Sequence, residues 1–268
     1  MSYLDDKITT EEFINTRGAL KTKKLARWSL HLFDLFTKDT LDGKSCEQVV
    51  LDMQKEIEKD GKFDRLFILT NKFIQWLQED HEDIKVKSSN HEVCIRKHGA
   101  ASIDVVVIHL RSYYEEFGQI DYPDRKWRRM VRLPKKVKIE LYPLSKEEIT
   151  QICDRSKPQR RALYMILKDT GLRISEALWI KKEDFDFNNT PVSLNIGPNV
   201  DKTNSTNQTR YITSETREYV ELWIRERKDE EYLFIKNAAH HDQAVNNEER
   251  IFDLLRKKLG FTKRYEHN

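Results

Sequence analysis

The stretch Thr170-Gly171-Leu172-Arg173-Ile174-Ser175-Glu176-Ala177-Leu178 decides how this chain is read. Just upstream, Arg161-Ala162-Leu163-Tyr164-Met165-Ile166-Leu167-Lys168 is an apolar run long enough for a buried helix. Gly171 falls where a left-handed C-terminal cap costs least, because glycine has no Cβ to clash at positive φ. A second helix is expected beyond it. Ile174, Ala177 and Leu178 recur at i, i+3 and i+4, which makes one face apolar and leaves Arg173 at the helix start. Taken alone, an arginine in that position is ordinary surface.

Followed by Trp179-Ile180-Lys181-Lys182-Glu183-Asp184-Phe185, the same string resembles the first signature box of the tyrosine recombinase (phage integrase) family. The resemblance implies that Arg173 is the first catalytic arginine and contacts the scissile phosphate. A planar guanidinium suits that task, because its forked donors match two phosphoryl oxygens at once. Glu176 is implied as a supporting carboxylate. The fold implied is mainly α with a small β-hairpin (α+β): an N-terminal helical core-binding (SAM-like) domain, then the N-terminal part of a recombinase catalytic domain.

At 268 residues the chain falls in the two-domain range, since a domain takes about 100–200 residues. Charge is abundant and uneven. Of 48 Lys and Arg against 45 Asp and Glu, residues 1–120 hold 18 against 21, so residues 121–268 hold 30 against 24. The excess begins abruptly between Arg125 and Lys138. Arg125, Lys126, Arg128, Arg129, Arg132, Lys135, Lys136 and Lys138 stand there with no acidic residue among them. Such a run repels itself unless an anion is present. With Pro123, Pro134 and Pro143 around it, it reads as a basic linker, 123–143, crossing a phosphate backbone. Each phosphate so neutralised would add roughly −0.9 to the slope of log affinity against log salt. Contacts of that kind position a duplex without reading its sequence.

Four regions are therefore expected: an N-terminal helical segment over 1–44, a core-binding domain over 45–122, the linker, and a catalytic domain from 144 to 268. In the first, Leu25, Trp28, Leu32 and Leu35 form a helical stripe. In the second, helices are predicted over Cys46 to Met53, with Ser45 as N-cap, over Asp64 to Trp76, and over Asp104 to Phe117. Their aromatic residues are read as core. The order of these helices resembles the core-binding domain of the same family, which grips one side of the DNA. His91-Glu92-Val93-Cys94 with His98, and His240-His241-Asp242, match no paired metal-ligand spacing and are read as polar loops.

In the last region, Ser145 and Glu148 form a capping box. Pro191 to Gly197 and Arg210 to Thr213 alternate as the two strands of a hairpin. The family carries a general-acid lysine on this hairpin, and the resemblance places that role on Lys202. A lysine suits it because its pKa drops readily on burial or beside other cations. Arg210 is a candidate DNA-backbone contact. Helices are expected over Thr213 to Arg225, with Tyr219, Leu222 and Trp223 inward, and over Asn247 to Leu259.

The family's second box, a His-x-x-Arg string, and its tyrosine nucleophile find no match, and Tyr265 is not in the nucleophile's context. The expectation is an integrase or recombinase that binds duplex DNA, self-associates on it, and in complete form rejoins strands through a 3′-phosphotyrosyl link. The 268 residues themselves are expected to bind DNA without cutting it. The alternative is a non-catalytic DNA-binding accessory protein with this fold, and a type IB topoisomerase relative is a third reading.

Neither a GxxxxGK(S/T) loop nor a carboxylate cluster is present, so no cofactor and no metal is expected. Cys46, Cys94 and Cys153 are odd in number and lack a CxxC pair, which points to a reducing compartment. With no secretory leader and no membrane-length apolar run, a cytoplasmic protein without membrane contacts is expected.

Overall fold

A computed structural model describes residues 8–88, 91–137, 143–197, 208–227 and 231–261. The chain folds as two compact units, Met1–Ile139 and Glu140–Asn268. Among the described residues, no helix is long and apolar enough to cross a membrane.

Unit 1 is built from α1 (Thr10–Thr16), α2 (Leu20–Thr40), α3 (Cys46–Asp60), α4 (Asp64–Trp76), an antiparallel hairpin of β1 (His81–Ser88) and β2 (His91–Ile95), α5 (Ala100–Glu116) and α6 (Asp124–Met130). Capping residues set several ends. Thr9 and Glu12 form a reciprocal capping box on α1, the Ser45 hydroxyl accepts from the Gln48 amide, and Gly61 closes α3 at φ 69°. The core is one aromatic cluster. Phe33 meets Phe73 at 5.1 Å and Tyr114 at 6.0 Å, and Phe36 meets Trp76 at 6.0 Å.

Unit 1 differs from the sequence reading in four places. The described residues 8–44 are not a separate segment, because Phe13, Ile14, Leu30, Phe33 and Phe36 enter the same core as α3, α4 and α5. The expected stripe on α2 holds only in its second half, where Leu32 is buried and Leu35 packs against the core. Leu25 and Trp28 are 40% exposed, while Phe33 and Phe36 take the inner side, where their rings find aromatic partners. His91 to Cys94 is strand rather than loop, paired residue for residue with Lys85 to Ser88. Finally, the first half of the basic run is α6 and not linker. Trp127 is buried against Tyr122, Phe67 and Tyr114, and Val131 is buried behind it. Those two apolar residues dock the segment although seven of its described neighbours are cations.

Unit 2 contains α7 (Lys146–Asp154), α8 (Pro158–Thr170), the short α9 (Ile174–Ala177), a sheet of β3 (Phe185–Asp186), β4 (Val192–Ile196) and β5 (Gln208–Ile212) in that order, α10 (Ser214–Glu226) and α11 (His241–Lys258). The Ser145 and Glu148 capping box opens α7 as the residue pattern predicts. The core lies between α8, α10 and the sheet, with Leu163, Ile166, Leu194, Ile212 and Val220 buried. Leu222 of α10 faces outward at 52% exposure, against expectation. Helix α11 has no fully buried residue. It is held by the two-pronged Arg160 to Glu248 ion pair, at 2.7 Å for each bond, and by the Tyr164 ring set edge-on to Phe252.

Candidate active site around Arg173

The site starts from the end of α8. Gly171 caps it at φ 66°, and an added Cβ would meet nothing within 4 Å, so the demand for glycine is conformational and not one of space. One residue earlier, the Thr170 hydroxyl donates to the Ile166 carbonyl and accepts from the Leu172 amide. Asp169 fixes the same helix end from the side. One of its oxygens accepts from the Thr213 amide and the Thr213 hydroxyl, both at 2.8 Å, tying α8 to the junction between β5 and α10. Burial pushes the Asp169 carboxyl up, but hydrogen bonds from Thr216 and Thr213 outweigh it and hold the group below the usual carboxylate value.

Arg173 follows as the N-cap of α9. Its backbone amide donates to Glu176 Oε2 at 2.8 Å, and its guanidinium donates to Glu176 Oε1 at 2.7 Å. The carboxylate is buried while the arginine side chain is 63% exposed. Glu176 thus aims the guanidinium outward from a fixed base.

Four residues make a weak helix, so α9 needs outside support. The Trp179 amide bypasses the Ser175 carbonyl and bonds Glu176 instead. His241, the first residue of α11, fills the gap, with its Nε2 donating to the Ser175 carbonyl at 2.7 Å. The imidazole also stacks on Trp179 at 4.3 Å. The His240-His241-Asp242 string, read from sequence as a polar loop, is therefore partly a clasp behind the Arg173 turn. Only the adjacent histidines marked it beforehand, and they carry no such signal.

Arg173 and Glu176 line a polar cleft of ≈ 380 Å³ with Gly171, Ile196, Gln208 and Arg210. Ile196 and Gln208 are the paired residues of β4 and β5 nearest the segment that joins the two strands, so that end of the hairpin borders the arginine. Arg210 donates to the Gln208 side chain at 2.8 Å. Gln208 had no signal in the residue pattern. Lys202 and Lys138 lie outside the described residues.

The remaining basic candidates, Arg125, Lys126, Arg128, Arg129, Arg132, Lys135 and Lys136, belong to unit 1 and are all exposed. They are not equivalent. Arg128 is 3.5 Å from Asp124, Lys136 pairs with Asp104, and Lys126 lies 5.7 Å from the centre of the Phe63 ring. Arg125, Arg129, Arg132 and Lys135 have no carboxylate partner among the described residues. Two of the three thiols are poor nucleophiles near neutral pH. Burial pushes Cys153 up to about 11, and burial helped by Asp34 pushes Cys46 up to about 12.

Residues 141–267, nearly the whole of unit 2, match the phage integrase family. Over this stretch the chain is similar to the phage integrase family. It is 22% identical over 221 residues to the tyrosine recombinase XerA of Thermococcus onnurineus (strain NA1), covering 80% of this chain and 74% of that protein. It is 25% identical over 217 residues to the tyrosine recombinase XerA of Thermococcus kodakarensis, covering 78% and 73%. A crystal structure of XerA recombinase aligns with a TM-score of 0.38 and 17% identity, over 95% of this chain and 79% of that one.

Proposed function

We propose that this chain binds duplex DNA and holds one backbone phosphate at Arg173, within the chemistry of site-specific strand breakage and rejoining. The observation that carries the reading is the Arg173 cleft. A well-exposed guanidinium is tied by backbone and side chain to a buried carboxylate, and a second arginine stands in the same polar wall. Donors fixed in advance stabilise developing phosphoryl charge without reorganising, which is how such sites lower barriers.

In this reading Lys202 protonates the 5′-oxygen leaving group, and the exposed cations of unit 1 supply affinity. The strand-breaking nucleophile, a tyrosine in the family chemistry, is assigned to no residue of this sequence. Copies of the chain assemble on the DNA.

The test is binding of a labelled duplex across a salt series by fluorescence anisotropy. Tight binding at low salt that weakens steeply with added salt is expected. No binding, or binding indifferent to salt, would overturn the reading. A half-site duplex that traps covalent adducts is expected to give none with these 268 residues; an adduct would place a nucleophile among them.

A further inference from the structure

We infer that Asn71 is the positioning residue for the basic run, fixing Arg129 and Arg132 beside one polar cleft that receives the DNA phosphate backbone. The inference rests on the duplex-binding reading above. Helix α6 ends at Met130, and the chain continues extended through Val131. At such an end the backbone loses its helical partners. Here two of those groups are taken up by one side chain from α4. Asn71 Nδ2 donates to the Met130 carbonyl at 2.8 Å, and Asn71 Oδ1 accepts from the Arg132 amide at 2.8 Å.

A carboxamide carries a donor and an acceptor side by side, so it can pair a carbonyl and the amide two residues later as a neighbouring strand would. Val131, between them, is buried. The segment is therefore held from both sides, by Val131 packed inward and by Asn71 along the backbone.

The consequence is electrostatic. Around the cleft of ≈ 410 Å³ beside this clamp stand Asn71, Gln75, Gln78, Arg129 and Arg132. Neither arginine has a carboxylate partner among the described residues, whereas Arg111, Arg128 and Lys136 do. Two cations held together without a counter-charge, beside two exposed amide side chains, suit a phosphodiester. If the clamp opens, the arginines remain but their spacing is lost.

The experiment uses the full chain and a labelled duplex, with affinity measured across a salt series. Wild type must bind first, since its failure to do so would sink the duplex-binding reading and leave the clamp without a ligand. Given binding, Asn71→Leu, which keeps the branching at Cγ but neither donates nor accepts, is expected to weaken affinity about 3- to 10-fold. Its salt slope should fall by about 1 to 2, as for one or two lost phosphate contacts. Arg129→Ala and Arg132→Ala should each cost less in the Asn71→Leu background than in wild type. Unchanged affinity, or losses that simply multiply, would overturn the inference. A second measurement does not depend on the variant folding. Hydrogen exchange at the Arg132 amide of wild type should be slow, and exchange at the rate of an open chain would contradict the clamp.

Discussion

Unit 1 and unit 2 are of similar length but are organised in opposite ways. Unit 1 has a dense aromatic core and presents exposed cations on helix α6, which is itself anchored by a buried tryptophan. Unit 2 gathers several side-chain hydrogen bonds around one short turn, where Asp169, Glu176 and His241 fix the setting of Arg173. On the function proposed above, the contrast separates two tasks. Affinity for a polyanion needs only exposed charge on a firm base, whereas phosphate chemistry needs one charge in one orientation.

The largest expected effect lies in unit 1. Trp127→Ala should destabilise it by about 3–5 kcal/mol, the usual cost of truncating a buried large aromatic. Duplex affinity should fall with it, because α6 loses its anchor. Denaturant titration of the full chain followed by circular dichroism checks this. A neutral result would return the basic run to the status of a loose linker and erase the contrast.

In unit 2, Asp169→Ala should cost about 1.5–3 kcal/mol by removing the charged acceptor of the Thr213 amide and hydroxyl. The pH dependence has a definite sign. The folded state holds the Asp169 carboxyl below its ordinary value of 3.8, so its contribution is present at neutral pH and lost as pH falls through the lowered folded value. His109 of unit 1 behaves alike in a higher window. Burial and then nearby Arg17 hold it below 6.5, so stability should decline as pH drops from 6.5 toward that lower folded value. Unit 1 should thus weaken first on acidification, and His109→Leu should flatten that decline in a pH series of denaturation midpoints.

A smaller effect is expected from His241→Ala. Leaving the Ser175 carbonyl without its donor should cost about 0.5–1.5 kcal/mol. Backbone amide shifts confined to residues 173–179 would mark the clasp, and an unmoved α9 would remove it from the account.

Much of this was legible in advance where a local rule acts alone. Helix α4 runs from Asp64 to Trp76 as its periodicity predicts, and Gly171 and the Ser145 capping box end and begin helices as their chemistry requires. Local rules failed where two patterns overlap. Cations around Trp127 and Val131 concealed a docked helix, and charged residues along His81 to Ser88 hid the inward Val86 of a strand. The inward face of α2 depended on rings in α4 and α5, which no spacing within α2 could reveal. Arg173 was named by its string, but its supports come from Asp169 bonding Thr213 and His241 bonding Ser175, contacts formed only by folding.

The division of tasks is tested most directly by comparing Arg173→Ala with the double variant Arg129→Ala/Arg132→Ala in duplex binding across a salt series. Arg173→Ala should keep affinity within about threefold and lose no more than about 0.9 from the slope, while the double variant should lose roughly 1.8, at about 0.9 per phosphate contact. Near-complete loss of binding in Arg173→Ala, with an unchanged slope in the double variant, would contradict the account.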